Sequence, residues 1–398
     1  MISLDIVDLF AGAGGTSTGL VQVASRETKP LKLTAINHNK KALETHKANF
    51  PWATHILTEL QSVDPYEVAP EGALDGLVAS PECTFFSRAR GGKPIRPQDR
   101  ASPWYLGRWM KKLDIPWILI ENVPEIIQWG PLDQSGRPMK AQAGSYFRLW
   151  LNSFRKNGYE IEYKVLNAAD YGDATSRRRF FAIARKDGHP ISWPEQTHMR
   201  KPTGNEKKWR AAREIIDFSI KGESIFSRKR PLAENTMKRI IAGLEKYSNN
   251  MASEKELQKY FTIYHGGRER TGSINDPLPT LDTSNRIALV EPYLIEYYGR
   301  GQARSIEAPI PTITTKDRLA LIQPIIIDGK EFRIDILYRM LKPKELAAAM
   351  GFPETYQFKG NQQDQVRQIG NAVAVNMAKS LISSVLNPRK TAALGAFT

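Results

Sequence analysis

Between residues 4 and 185, short apolar runs of strand length alternate with stretches of helical periodicity, and this alternation limits the possible folds more than any other feature. Strand-like runs lie at 4–10, 33–36, 54–57, 74–79, 117–120, 161–166 and 180–184. Between them, one helix is expected to run to about residue 25 and a polar one to cover 40–49. A third is marked by Phe147, Trp150, Leu151 and Phe154, which fall at the spacing of one buried helical face. Strands alternating with helices argue for a mostly parallel sheet covered on both sides. A chain of 398 residues has room for two such domains at roughly 150 residues each.

The pattern changes near Pro190. Residues 190–335 are rich in Arg, Lys, Pro and Thr and weakly periodic, as a second domain would be. They contain an internal repeat at an offset of 32, with Arg268, Ser273, Ile274, Pro277 and Pro279 matched by Arg300, Ser305, Ile306, Pro309 and Pro311. Two copies are too few for a solenoid, so 261–290 and 293–322 are expected to be two similar hairpin-like units. Helical patterns return at 344–350 and over a longer stretch, 365–386.

Four segments carry chemistry. Asp8-Leu9-Phe10-Ala11-Gly12-Ala13-Gly14-Gly15 follows a strand and opens a helix, where glycines permit a tight turn and close approach of a ligand to the backbone. Its spacing does not fit the G-x-G-x-x-G of dinucleotide enzymes, which disfavours a dehydrogenase. Ser80-Pro81-Glu82-Cys83 lies just past a strand end. A lone cysteine is ordinarily a small buried hydrophobe. Here a strand end places it where α/β folds keep their sites. A basic stretch follows (Arg88, Arg90, Lys93, Arg96 and Arg100 against Asp99), and its field favours a thiolate. Glu121-Asn122-Val123 closes the next strand, so Glu121 and Cys83 share a sheet edge if those strands pair. A thiolate and a protonatable carboxylate in one pocket suit covalent catalysis with general-acid help, although a helix-capping Glu is the plainer reading of Glu121 alone. In the run Arg177-Arg178-Arg179, strand alternation sets Arg177 and Arg179 on one face and Arg178 on the other. Such a pair suits a phosphate or a base carbonyl better than open solvent.

Taken in order, these segments resemble the DNA (cytosine-5) methyltransferase family. The resemblance covers residues 5–185 and 338–385. It adds Tyr171-Gly172, Arg339-Met340-Leu341 with Glu345, Met350-Gly351-Phe352-Pro353, and Gln368-Ile369-Gly370-Asn371-Ala372-Val373. It implies an α/β, Rossmann-like S-adenosylmethionine-dependent methyltransferase domain over 1–189 and 336–390. A smaller target-recognition domain over 190–335 and a tail over 391–398 complete the chain. By the family's pattern, cofactor contacts fall to Asp8, Phe10, Ala11, Gly12, Gly14, Gly15, Asn37, His38, Glu59, Leu60, Pro81, Asn371 and Val373. Cys83 is then the nucleophile, Glu121 the acid at N3 of the cytosine, Arg179 the grip on its carbonyl and Arg177 a support. DNA contacts fall to Ser87, Arg88, Arg90, Lys93, Arg96, Arg268 and Arg300. The implied reaction methylates C5 of a flipped cytosine in duplex DNA, in the manner of restriction–modification enzymes. A tRNA cytosine-5 methyltransferase or a catalytically inactive DNA-binding protein of the same fold are the alternatives.

Three positions depart from the family. Glu82 stands where Pro usually precedes the cysteine, Asn37 where an acid usually holds the cofactor ribose, and Thr175 where Gln is usual. The formal net charge of +15 suits a polyanionic partner. The single cysteine rules out an internal disulfide. With no secretion signal or long apolar run, a cytoplasmic monomer without metal or membrane attachment is expected. The stretch 88–100, with Gly91, Gly92, Pro94 and Pro97, is expected to be a loop that closes over the flipped base. Trypsin should cut it readily in the free protein, and cognate DNA with a cofactor analogue should protect it. Equal cutting with and without DNA would remove this reading.

Overall fold

The computed structural model describes residues 3–28, 30–82, 101–247, 293–296, 302–316, 319–327 and 333–388. Two compact units emerge. The first comprises Met1–Arg210, Pro311–Thr315 and Ala347–Thr398, and the second Ala211–Ile310 and Lys316–Leu346.

Among the described residues of the first unit, seven strands form one sheet. They are β1 Leu4–Leu9, β2 Leu31–Asn37, β3 Thr54–Leu57, β4 Gly76–Ala79, β5 Trp117–Asn122, β6 Glu160–Asn167 and β7 Arg178–Arg185. Their order is β3-β2-β1-β4-β5-β7-β6. β1 to β5 pair in parallel, and β7 lies antiparallel to both its neighbours. β1 therefore sits at the switch point, with β2 on one side and β4 on the other. In open α/β sheets the crevice beyond the carboxyl ends of such strands is where ligands bind.

The sequence explains the elements. β1, β4 and β5 are nearly all buried, as strands covered on both faces must be. Helix α1 (Gly15–Arg26) follows β1, and α2 (Lys40–Asn49) follows β2, where the Asn39 side chain accepts from the Ala42 amide and caps it. Helices α3 (Pro65–Val68) and α4 (Leu106–Lys112) precede α5 (Ser145–Lys156), which buries Phe147, Trp150, Leu151 and Phe154. These four join Leu9, Ala79, Ile120 and Phe180 in one core.

The longer helix expected over 365–386 is two helices, Gln362–Asn371 and Val375–Leu386. The chain breaks at 372–374, where Ala372 and Ala374 take extended backbone. The break carries Val373 against Gly15, where a Cβ would stand 2.2 Å from the Val373 carbonyl oxygen. By length and composition the whole stretch Gln362–Leu386 is apolar enough to cross a membrane, and 61% of its apolar window is buried inside the protein. It contributes Val366, Ile369, Val375, Met377, Leu381 and Ile382 to the buried residues.

The second unit is built on an antiparallel sheet. Two short strands, β8 His198–Met199 and β9 Lys207–Lys208, precede it in the first unit. Its own strands are β10 Glu223–Ser224, β11 Tyr293–Glu296, β12 Ala303–Ser305, β13 Leu319–Ile327 and β14 Arg333–Met340, in the order β10-β14-β13-β11-β12. Helix α6 (Glu234–Tyr247) packs Met237 and Ile240 with Ala320, Ile322 and Ile336. The second repeat copy, 293–322, supplies β11, β12 and the start of β13, with β11 antiparallel to both of the others. The first copy, 261–290, lies outside the described residues. The Arg339…Glu345 motif is a buried bidentate ion pair in this unit, with contacts of 2.8 and 2.7 Å. Its two members also hold the backbone of Asp217, Ile220 and Lys342.

Two glycines give opposite expectations. A Cβ at Gly19 would lie 2.7 Å from the backbone nitrogen of Lys379. Gly19→Ala should therefore lower stability by about 1–3 kcal/mol through overpacking. Gly107, in α4, has open space around it, so Gly107→Ala should be neutral or stabilising by up to about 1 kcal/mol. Urea unfolding midpoints of the two variants check this; equal shifts would contradict the packing.

Candidate active site

Strand registry brings the motifs to one edge. Leu9 pairs with Ile36 and Ala79, and Ala79 with Ile120. The turn after β1 is anchored on both sides, by Ala11 N to Ile36 O at 3.2 Å and by Ser80 N to Leu9 O at 3.0 Å. Within it Phe10 adopts a left-handed backbone with φ 60°, beside Gly12 at 55° and Gly14 at 87°. A bulky residue in that region marks local strain, and such strain clusters at ligand sites. The Phe10 ring is half-buried against the core below.

Asp8 faces away from the core side chains Val7 and Leu9 and is buried under α1. Its carboxylate accepts from Ser17 Oγ at 2.6 Å. Ser17 Oγ lies 2.9 Å from His46 Nε2, and His46 Nδ1 lies 2.9 Å from His55 Nε2. Burial pushes Asp8 up to about 7, against the pull of the Ser17 bond. Burial, with His55 adding to it, pushes His46 down to about 3. Ala11 and Leu60 are buried in apolar clusters, and Glu59 precedes the short turn that contains Leu60. Gly14 has no room for a side chain, because Tyr356, Phe50 and His46 crowd it. Tyr356 donates its hydroxyl to the Ala13 carbonyl from 343 residues away.

At the end of β2, Asn37 is 8% exposed, and its Oδ1 accepts from the Asn39 amide at 2.7 Å. His38 is exposed, and its Nε2 lies 3.3 Å from Glu82 Oε1. Pro81 is buried, and its carbonyl accepts from Asn122 Nδ2 at 3.0 Å. Cys83, Ser87, Arg88, Arg90, Lys93, Arg96, Arg268 and Arg300 lie outside the described residues.

Glu121 Oε1 meets Arg179 Nε at 3.1 Å, each side chain 12% exposed. Arg177 is buried and donates to Ile313 O at 3.3 Å, while Arg178 faces solvent. Burial raises the Glu121 pKa, and Arg179 and then Arg177 pull it back only in part. Thr16, Ser80, Glu121, Phe181 and Val373 enclose a small cavity at this edge. Asn371 is exposed at the end of its helix. Asp173, buried and pushed up to about 7 by burial, accepts from Asn376 and Met377, whose segment reaches it across more than 200 residues. A Cβ at Gly351, which has φ 77°, would strike it. Nothing in local sequence signals the Glu82–His38, Tyr356–Ala13 or Asp173–Asn376 pairings, because each joins residues far apart in the chain. Among the described residues no group of three His, Cys, Asp or Glu is placed to hold a metal ion.

The C-5 cytosine-specific DNA methylase family matches residues 4–387. The chain belongs to that family. The chain is 26% identical to the type II methyltransferase M1.HphI of Haemophilus parahaemolyticus over 97% of its own length and 87% of that protein. It is 24% identical to M.FnuDI of Fusobacterium nucleatum over 94% and 92%. Against M.SacI of Streptomyces achromogenes the match is 28% over 49% of this chain, and it spans about half (51%) of that relative. Among solved structures, the Entamoeba histolytica methyltransferase EhMeth superposes with a TM-score of 0.57 at 15% identity, covering 97% of this chain and 98% of that one. The S. pombe Dnmt2 methyltransferase gives 0.56 at 15%, covering 97% and 99%. These likenesses are of fold, a Rossmann-like methyltransferase sheet.

Asp8 has the higher pKa in the folded state, so between about pH 4 and 7 the fold holds a proton that the unfolded chain has released. Its stabilising contribution is complete below about pH 4 and is lost as pH rises through about 7. His46 runs the other way, contributing above about pH 6.5 and losing that contribution as pH falls toward 3. The melting-temperature difference between Asp8→Asn and the parent should therefore grow more positive from pH 5 to pH 8. A difference that stays constant would show that Asp8 does not titrate in this window.

Proposed function

We propose that the chain transfers a methyl group from S-adenosylmethionine to C5 of a cytosine in duplex DNA. The observation that carries this reading is the Glu121–Arg179 pair, held at the sheet edge opposite the strand end that leads to Pro81 and Cys83. The crevice above β1 suits the cofactor. It offers a half-buried aromatic ring (Phe10), turn amides at the start of α1, the His38 imidazole and the carboxylate of Glu82; Glu59, at the turn after β3, is proposed as a further contact. An adenine, a ribose diol and an amino-acid end find chemical partners in that set. When bound, the cofactor supplies an electrophilic methyl group.

The protein's own residues then do the rest. The target base is taken out of the helix. The Cys83 thiolate adds to C6, and Glu121, whose pKa burial shifts upward, donates a proton to N3 so that the ring accepts the electron pair. Arg179, already fixed by Glu121, holds the cytosine carbonyl, and Arg177 stiffens that strand from below. With the cofactor bound, C5 would become methylated; a water would then take the C5 proton, the C6–S bond would break to release the Cys83 thiolate, and N3 would return its proton to Glu121. The first unit is read as catalytic and the second as target-recognising, with Arg268 and Arg300 among its DNA contacts. The net charge of +15 favours the phosphate backbone, and a cytoplasmic setting is part of the same proposal.

Cys83→Ser should reduce methyl transfer to background and leave DNA binding largely intact, since a hydroxyl is a far weaker nucleophile. A duplex with 5-fluorocytosine at the target should trap a protein–DNA adduct through Cys83, because fluorine does not leave as a proton does. Glu121→Gln should slow methylation about 10²–10⁴-fold with cofactor binding near normal. Tritiated methyl transfer to duplex DNA and to tRNA measures all three proteins. An active Ser variant, or transfer to tRNA alone, would overturn the proposal.

A further inference from the structure

The two chain segments that leave β2 and β4 reach each other across the end of β1. His38 Nε2 and Glu82 Oε1 stand 3.3 Å apart, with side chains 38% and 28% exposed. β1 lies between those two strands, so the pair spans the switch-point crevice beside Phe10.

Nucleoside cofactors in doubly wound sheets have their ribose hydroxyls held by an acid from the end of the second strand. Here that strand ends in Asn37. Its side-chain oxygen is engaged by the Asn39 amide at 2.7 Å, and it is buried. This bond turns the chain into α2, and Asn39 in turn caps that helix. Asn37 carries no charge, and its oxygen is committed to the turn. A carboxylate nevertheless stands at the crevice, delivered from the opposite side by the segment after β4.

We propose that Glu82, oriented by His38 across the end of β1, is the ribose-diol acceptor of this chain. The assignment rests on the cofactor reading above. A carboxylate has lone pairs enough to hold one imidazole N–H and still accept from two neighbouring hydroxyls, and bonds to a charged acceptor are the strong ones. The unusual Glu before Cys83 and the unusual Asn that ends β2 are then one exchange, in which the acid has moved from one wall of the crevice to the other. His38 is a positioning residue in this arrangement.

The test is calorimetric binding of S-adenosylhomocysteine and of its 2′,3′-dideoxy analogue to the full-length protein, with no turnover involved. Glu82→Ala should weaken S-adenosylhomocysteine by roughly tenfold or more, the usual worth of a hydrogen bond to a charged group. Glu82→Gln, which keeps the shape, should lose less, and His38→Ala should lose less in the same direction. The dideoxy analogue should bind the parent and both Glu82 variants alike. Equal losses for the two ligands, or no loss for S-adenosylhomocysteine, would overturn the assignment while leaving the cofactor reading in place. A parent protein that binds neither ligand would overturn both.

Discussion

The close approach of α1 to the helix Val375–Leu386 is the contact on which the site depends. Gly15 lies against the Val373 carbonyl, and Gly19 against the backbone of Ala378 and Lys379. Only glycine lets two backbones come this near. The approach ties the turn after β1 to a segment more than 350 residues later. Tyr356 adds a second tie by donating to the Ala13 carbonyl. Phe10 is thereby held in a left-handed backbone that a free loop would relax.

Burial acts on charge in two different ways at this edge. Asp8 is buried and accepts from the Ser17 hydroxyl, and burial pushes its pKa up to about 7. Glu121 is buried against Arg179 and near Arg177, and desolvation still prevails. The first carboxyl secures the seat of α1 through Ser17 and His46. The second is held at the sheet edge against Arg179 at 3.1 Å. The difference is one of partners and access, since both lie on parallel strands of the same sheet.

Much was legible from residue order. The seven strands and the buried face of α5 followed from periodicity, because a two-sided sheet demands continuous apolar runs. The alternation in Arg177-Arg178-Arg179 read correctly, with Arg178 alone facing solvent. The break at 372–374 was not legible. That segment is helix-friendly in isolation, and its departure from helix places Val373 against Gly15. The Arg339 and Glu345 motif carried no sign that it would be a buried ion pair bracing the second unit's loops. Asp8 was expected among the cofactor contacts, and its carboxylate is engaged beneath α1 by Ser17. Strand periodicity told which residues alternate, not which side of the sheet would carry the ligand.

The sequence by itself determined the layered α/β class, the strand ends from which Cys83 and Glu121 emerge, and the family, since these rest on local periodicity and on short motifs in a set order. Tertiary structure alone decided that β2 and β4 flank β1, and hence that His38 and Glu82 meet over its end. It alone set Glu121 against Arg179 and Asp173 against the backbone of 376–377. Strand order and helix crossing depend on how faces pack at long range, and no local pattern encodes which distant residue will fill a given gap.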